Sequence, residues 1–160
     1  MTSLIFLATL LQTPQIPAAN PDDVKSEDAI IKSLYSVISG PAGEKRNWNR
    51  FRSLFSAKAT MAAVVKNRAG KFVSATMSPE DYIARSGPYL ETNGFFERET
   101  RRKSMRSIDL VNVLSSYESR NKLDDKKPFE TGTNSFQLFF DGTRWYVHSI
   151  LWQDAPKAKE

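Results

Sequence analysis

The stretch Asn134–Trp152, NSFQLFFDGTRWYVHSILW, constrains the fold more than any other. It reads as two strands around Asp141-Gly142, a pair that tolerates the positive φ values of a tight hairpin turn. With only those two residues in the loop, Phe140 faces Thr143 and Leu138 faces Trp145. Side chains alternate along a strand. One face is then Phe136, Leu138, Phe140, Trp145, Val147, Ser149 and Leu151. The other is Gln137, Phe139, Tyr146, His148, Ile150 and Trp152. Both carry aromatic residues, whereas a sheet with one wet face shows polar residues there. One face therefore has to meet helices, with Trp145 inside. The other has to meet something else.

The rest of the chain supplies the cover. Ser26–Ser39 reads as a helix, with Ile30, Leu34 and Ile38 on one stripe and Gly40-Pro41 as its stop. Asn47 is a good N-cap for a short helix carrying Trp48, Phe51, Leu54 and Phe55 at helical spacing. Lys58–Lys66 and Lys71–Thr76 read as strands around Arg68-Ala69-Gly70. Ser78-Pro79-Glu80-Asp81 starts a third helix, which Gly87-Pro88 is expected to break or kink. Phe95–Lys103 and Ile108–Arg120 read as long strands, with Val111, Val113, Ser115 and Tyr117 sharing a face. Helices gather early and strands late, which predicts an α+β fold with one curved sheet.

The chain has 160 residues, 40% of them hydrophobic, enough for one domain and one core. Met1–Ala19 has the short apolar run Leu4–Leu11 and small residues at Pro17-Ala18-Ala19, the pattern of a secretory signal, although no basic residue precedes the run. The reading is residues 1–19 as signal, 20–25 as polar linker, 26–154 as one domain and 155–160 as charged tail. The protein is then exported, periplasmic or secreted, with no stable membrane insertion once the signal is gone. Net charge is +5, but the dense basic run Arg98–Arg106 is interrupted by Glu99 and preceded by Glu97. A nucleic-acid surface needs a basic stripe interleaved with stacking aromatics, so nucleic acid is not an expected partner. No cysteine and one histidine exclude thiol chemistry and an ordinary zinc site. No glycine-rich phosphate loop or nucleophile elbow occurs, and no cofactor is expected.

Helices first, then a meander ending in a Gly-x-x-Trp-x-Val strand, resembles the nuclear transport factor 2-like superfamily, which includes the SnoaL-like polyketide cyclases and the ketosteroid isomerases. The resemblance rests on Asp28–Ile38, on Trp48–Phe55 with the strand after it, and on Gly142–Trp152, and it covers about Ser26–Asp154. Segments such as Gly40-Pro41-Ala42-Gly43, Gly94–Glu99 and Tyr117–Arg120 resemble an uncharacterised bacterial branch. The resemblance implies a cone: a strongly bent antiparallel sheet wrapped round the N-terminal helices, with a cavity between. It also implies an Asp or His base with a Tyr or protonated acid beside it. This chain departs from that pattern. His148, its one histidine, falls on the face away from Trp145.

Tyr35, Trp48, Phe51, Tyr82, Phe96, Tyr117 and Trp145 are the candidate cavity lining, or simply core aromatics. Glu97, Arg98, Glu99, Glu118 and Arg120 fall on adjacent strands and suit a ladder of weak ion pairs. A sharper reading turns Glu97 or Glu118 inward as a base with raised pKa. Two functions follow. The favoured one is a pocket protein that binds a small apolar molecule or a partner, without catalysis. The alternative is an isomerase, dehydratase or cyclase abstracting a proton with a carboxylate. An inward carboxylate within reach of a Tyr favours the enzyme. Finally, Phe139, Tyr146, His148, Ile150 and Trp152 on one outer face predict a homodimer, because monomers rarely leave such a patch in water.

Overall fold

The structure, a computed structural model, describes residues 16–156, so the apolar run Leu4–Leu11 lies outside the described residues. Among the described residues four helices, α1 (Pro21–Val24), α2 (Glu27–Ile38), α3 (Trp48–Ser53) and α4 (Pro79–Asn93), accompany six strands. The strands are β1 (Phe55–Lys66), β2 (Phe72–Met77), β3 (Phe96–Ser107), β4 (Leu110–Arg120), β5 (Glu130–Phe140) and β6 (Trp145–Asp154).

The helix boundaries follow their caps. Ser26 accepts from Ala29 N at 3.1 Å, Asn47 accepts from Arg50 N at 2.9 Å, and Ser78 and Asp81 close a reciprocal capping box. Two stretches differ from expectation. Asn20–Lys25 is not a loose linker: it forms α1, with Val24 in the core and the Asp23 carboxylate held by Ser33 and Arg50. Pro88 does not break α4, which runs on to Asn93. Gly87, just before it, packs against the Trp48 ring. A Cβ there would lie 3.1 Å from that ring, so packing holds the helix together across the lost backbone bond.

The sheet is curved and unclosed, in the order β2-β1-β6-β5-β4-β3, antiparallel throughout except for the parallel pair β1–β6. Helix α2 lies on its inner face. Ile30, Ile31, Leu34, Tyr35 and Ile38 bury there against Val111, Val113, Phe136, Leu138 and Val147. Each such aliphatic or aromatic side chain contributes about 1.5–3 kcal/mol. The loop after α2 is fixed by Arg46, 6% exposed, whose guanidinium donates to the carbonyls of Ile38, Gly40, Pro41, Glu44 and Leu90. One side chain thus satisfies the carbonyl-rich end of α2 and ties it to α4.

The final hairpin corrects the expected register twice. Phe140 pairs with Trp145, so the loop is Asp141–Arg144. The Asp141 carboxylate closes it by accepting from Thr143 N at 2.8 Å and Arg144 N at 2.9 Å. The shift is even, so Trp145 and Val147 stay inside. A β-bulge then falls at His148, because Leu138 pairs with Val147 but Gln137 pairs with Ser149. Beyond it every side chain changes face. Ile150 and Trp152 turn inward and Leu151 outward, against expectation. The outer patch predicted from Phe139, Tyr146, His148, Ile150 and Trp152 therefore loses its last two members. Leu110 and Leu114 of β4 and Leu151 join Phe139 and Tyr146 on that face instead.

The register orders the inner face into rows. Met61, Ile150, Phe136 and Val113 form an apolar row. Next come Trp152, Asn134 and Ser115, then Asp154, Gly132 and Tyr117. Glu130, Ser119 and Glu97 form the last row. The face is apolar under α2 and becomes polar towards the open end.

Candidate functional site

The polar end of the inner face is the floor of a cavity of about 580 Å³, roofed by α2 and α4. That volume suits a small organic ligand. Tyr35 comes from α2, where Leu34 and Ile38 lock the helix face to the sheet. Tyr82 comes from the first turns of α4, set by the Ser78 cap. Glu97, Tyr117, Asn134, Trp152 and Asp154 come from four neighbouring strands.

Glu97 is the central group. Its neighbour Ser119 donates from Oγ to Oε2 at 2.9 Å. Burial pushes its carboxyl up to about 7, the nearby charges of Glu130 and Asp154 add to the rise, and Ser119 and Asn134 act against it. A carboxyl poised there can take or give a proton near neutrality.

Three tyrosines surround it. The Tyr117 hydroxyl donates to Asp154 Oδ1 at 2.6 Å, and burial with that hydrogen bond holds its proton firmly. The Tyr35 hydroxyl accepts from Asn134 Nδ2 at 3.0 Å and lies 2.7 Å from Ser115 Oγ. Ser115 spends its own proton on Glu99 Oε1 at 2.6 Å, so Tyr35 must be the donor to Ser115. Burial pushes Tyr35 up to about 12. Tyr82 stacks on Phe51 at 5.5 Å and meets Trp152 edge-on at 6.3 Å. Burial raises its pKa too, with the Glu97 charge as a smaller cause.

Of the expected lining, Tyr35, Phe51, Tyr82 and Tyr117 meet in this cavity. Three do not. Trp48 donates from Nε1 to Glu91 at 2.9 Å and packs on Phe51 from behind. Phe96 borders a separate groove between α2 and β3. Trp145 lies deep in the core beside Phe140, with the Arg106 guanidinium 4.9 Å from its ring. The two candidate acids separate cleanly. Glu97 faces inward. Glu118 faces outward, where Arg98 and Arg120 pair with it and hold its carboxyl below the usual range. His148 sits at the bulge on the exposed side, 3.3 Å from Ser56 Oγ. Sequence reasoning missed Asn134, Glu130, Trp152 and Asp154. Placing the bulge would have found two of them, because it puts Ile150, Trp152 and Asp154 on one inward set.

No protein-family profile matches the sequence, and no curated protein is similar to it. Solved structures are. A nuclear transport factor 2-like protein of unknown function from Pseudomonas putida superposes with a TM-score of 0.60 at 12% identity, covering 83% of this chain and 86% of that one. A nuclear transport factor 2-like protein from Cytophaga hutchinsonii gives 0.56 at 13% identity, covering 81% and 99%. A candidate ketosteroid isomerase from Shewanella frigidimarina gives 0.51 at 13% identity, covering 77% and 90%. The early helices, the bent sheet and these superpositions agree: the protein has the nuclear transport factor 2-like fold.

Proposed function

We propose that the cavity binds a small, largely apolar molecule and that Glu97 exchanges a proton with it. The observation that carries this reading is Glu97 itself, an acid turned into an aromatic cavity and poised near neutral pH. In the reaction, Glu97 in its charged form takes a proton from a carbon beside a carbonyl and returns it at another position. Tyr82, which lines the cavity, donates its hydroxyl proton to the oxygen on which charge develops. The candidate ketosteroid isomerase among the similar structures is named for a reaction of this class.

Binding without turnover is the second reading. Its support is that the Tyr35 and Tyr117 hydroxyls already spend their protons on Ser115 and Asp154. Proton NMR in D₂O separates the two. A panel of cyclic ketones is incubated with the wild type and with Glu97→Gln. Catalysis requires wild-type acceleration of α-proton exchange that falls about 10²–10⁴-fold in the variant. Ketones that bind and exchange no faster than in buffer leave binding alone. Equal acceleration by both proteins removes Glu97 from the account.

The outer sheet face is also proposed to pair two copies of the chain. Phe139 and Tyr146 stack there at 5.2 Å, with Leu110, Leu114 and Leu151 exposed on the same face. A twofold contact needs only one self-complementary patch.

A further inference from the structure

One row of the sheet under α2 is polar. Ser115 on β4 lies opposite Arg102 on β3 and Asn134 on β5. In a regular strand, residues three apart face opposite ways. A bulge between Glu99 and Arg101 changes that, so that Glu99 pairs with Tyr117 and Arg102 with Ser115, both inward residues. Glu99 and Arg102 therefore share a side, and the guanidinium forks onto both carboxylate oxygens at 2.8 and 2.7 Å. Tyr35 of α2 reaches down to the same row. Tyr35, Ser115 and Asn134 are all less than a tenth exposed.

Hydrogen bonds run through this row in one direction. An ionised carboxylate only accepts, so Glu99 takes the Ser115 proton at 2.6 Å. Ser115 must then accept from Tyr35, 2.7 Å away. Tyr35, its proton spent, must accept from Asn134, whose Nδ2 lies 3.0 Å away. The two ends of an amide have the same shape, so only its hydrogen bonds decide which way it turns. Here they put the nitrogen towards Tyr35. Nδ2 carries two protons, and the amide also hydrogen-bonds the Glu97 carboxyl and favours its charged form.

We propose that Ser115 is a positioning residue for Glu97: by taking the Tyr35 proton it holds the Asn134 amide nitrogen-first, so the cavity acid meets a donor rather than an acceptor. The proposal rests on the reading of Glu97 as the group that exchanges a proton, and it says how the charged form of that group is kept available. Without the Ser115 hydroxyl, Tyr35 has a proton to give. The amide can then turn its oxygen to Tyr35 and Glu97, and an oxygen there favours the protonated acid. The effect needs no contact between Ser115 and Glu97. The titratable groups that share the cavity with Glu97 are Tyr35 of α2, Tyr82 and Arg85 of α4, Tyr117 of β4, Glu130 of β5 and Asp154 of β6, and all remain when Ser115 is replaced.

The test is carboxyl carbon NMR on the full chain, labelled at the glutamate side chains, with Ser115→Ala beside the wild type. The Glu97 midpoint is expected to rise by about one pH unit, the size of one hydrogen bond lost to the charged form. Ketone α-proton exchange should fall roughly fivefold near pH 7 and recover in alkali, because less of the acid is charged. A merely loosened core acts the other way, since water reaching Glu97 lowers the midpoint. Asn134→Leu should raise the midpoint as Ser115→Ala does, and combining the two should move it no further. Where Ser115→Ala melts too low to titrate, Tyr35→Phe breaks the same chain one link on and is read in the same way. A midpoint left unchanged or lowered overturns the inference and leaves proton exchange by Glu97 standing. A wild-type midpoint in the ordinary carboxylate range overturns both.

Discussion

Tyr117 reaches across Gly132 to donate its hydroxyl proton to Asp154 at 2.6 Å, tying β4, β5 and β6 together at the cavity floor. The glycine is required by this contact. A Cβ at position 132 would lie 2.4 Å from the Tyr117 hydroxyl oxygen and 2.6 Å from the Gln153 carbonyl. Gly132→Ala should therefore displace the tyrosine and cost about 1–3 kcal/mol in denaturant melts. A variant as stable as wild type would show that the ring does not lie across the strand.

The bulge at His148 inverts what substitution at Ile150 should do. Ile150 is 5% exposed, so Ile150→Glu buries a charge in the core and should unfold the protein. Phe139→Glu on the outer face should leave the fold intact and split the proposed pair, as read by sedimentation equilibrium. A wild type that stays monomeric at about 100 μM, a concentration that populates any contact worth ~8 kcal/mol, removes the pairing.

Two deep side chains test the packing. Trp145 is 6% exposed, and Trp145→Ala should cost about 3–5 kcal/mol. Arg46→Met keeps the length but leaves a set of carbonyls without donors, and should cost about 3 kcal/mol by urea titration. Losses under about 1 kcal/mol, the size seen at surface sites, would contradict both placements.

The elements that periodicity could show were legible: the helix stripe at Ile30, Leu34 and Ile38, the caps at Ser26, Asn47 and Ser78, and the alternation that put Trp145 and Val147 inside. What failed was register. A bulge adds one residue without a side-chain signature, so Ile150, Leu151 and Trp152 lie on the opposite faces from those expected. Glu97 and Glu118 are both candidates in the sequence because they fall on adjacent strands among charged neighbours. The pairing of Glu97 with Ser119 decides between them, and a contact between distant strands leaves no local trace. Arg46 was invisible for a similar reason, since its partners are backbone carbonyls scattered from Ile38 to Leu90.

Stability should fall as pH rises past Glu97. In the unfolded chain this carboxyl titrates near 4.5, and in the fold it is held up to about 7. Between those values the native state keeps a proton that the unfolded chain has lost. The contribution is thus full below the lower value and is lost as pH rises through the upper one. Asp23 works in the opposite window. Arg50 lowers its carboxyl, so its contribution is present at neutral pH and disappears in acid. Urea melts at roughly pH 5 and 8 should show a loss in wild type that Glu97→Gln abolishes. Equal slopes in both proteins would count against a buried, protonated Glu97.

The central claim is that Glu97 is a cavity acid poised near neutrality, and carboxyl carbon NMR tests it most directly. Protein labelled at the glutamate side-chain carboxyl is titrated from acid to alkaline pH, alongside Glu97→Gln. The account predicts one resonance with a midpoint near 7 that is missing from the variant. If every glutamate in the folded wild type titrates below about 5, Glu97 is a solvated surface acid and the account is wrong.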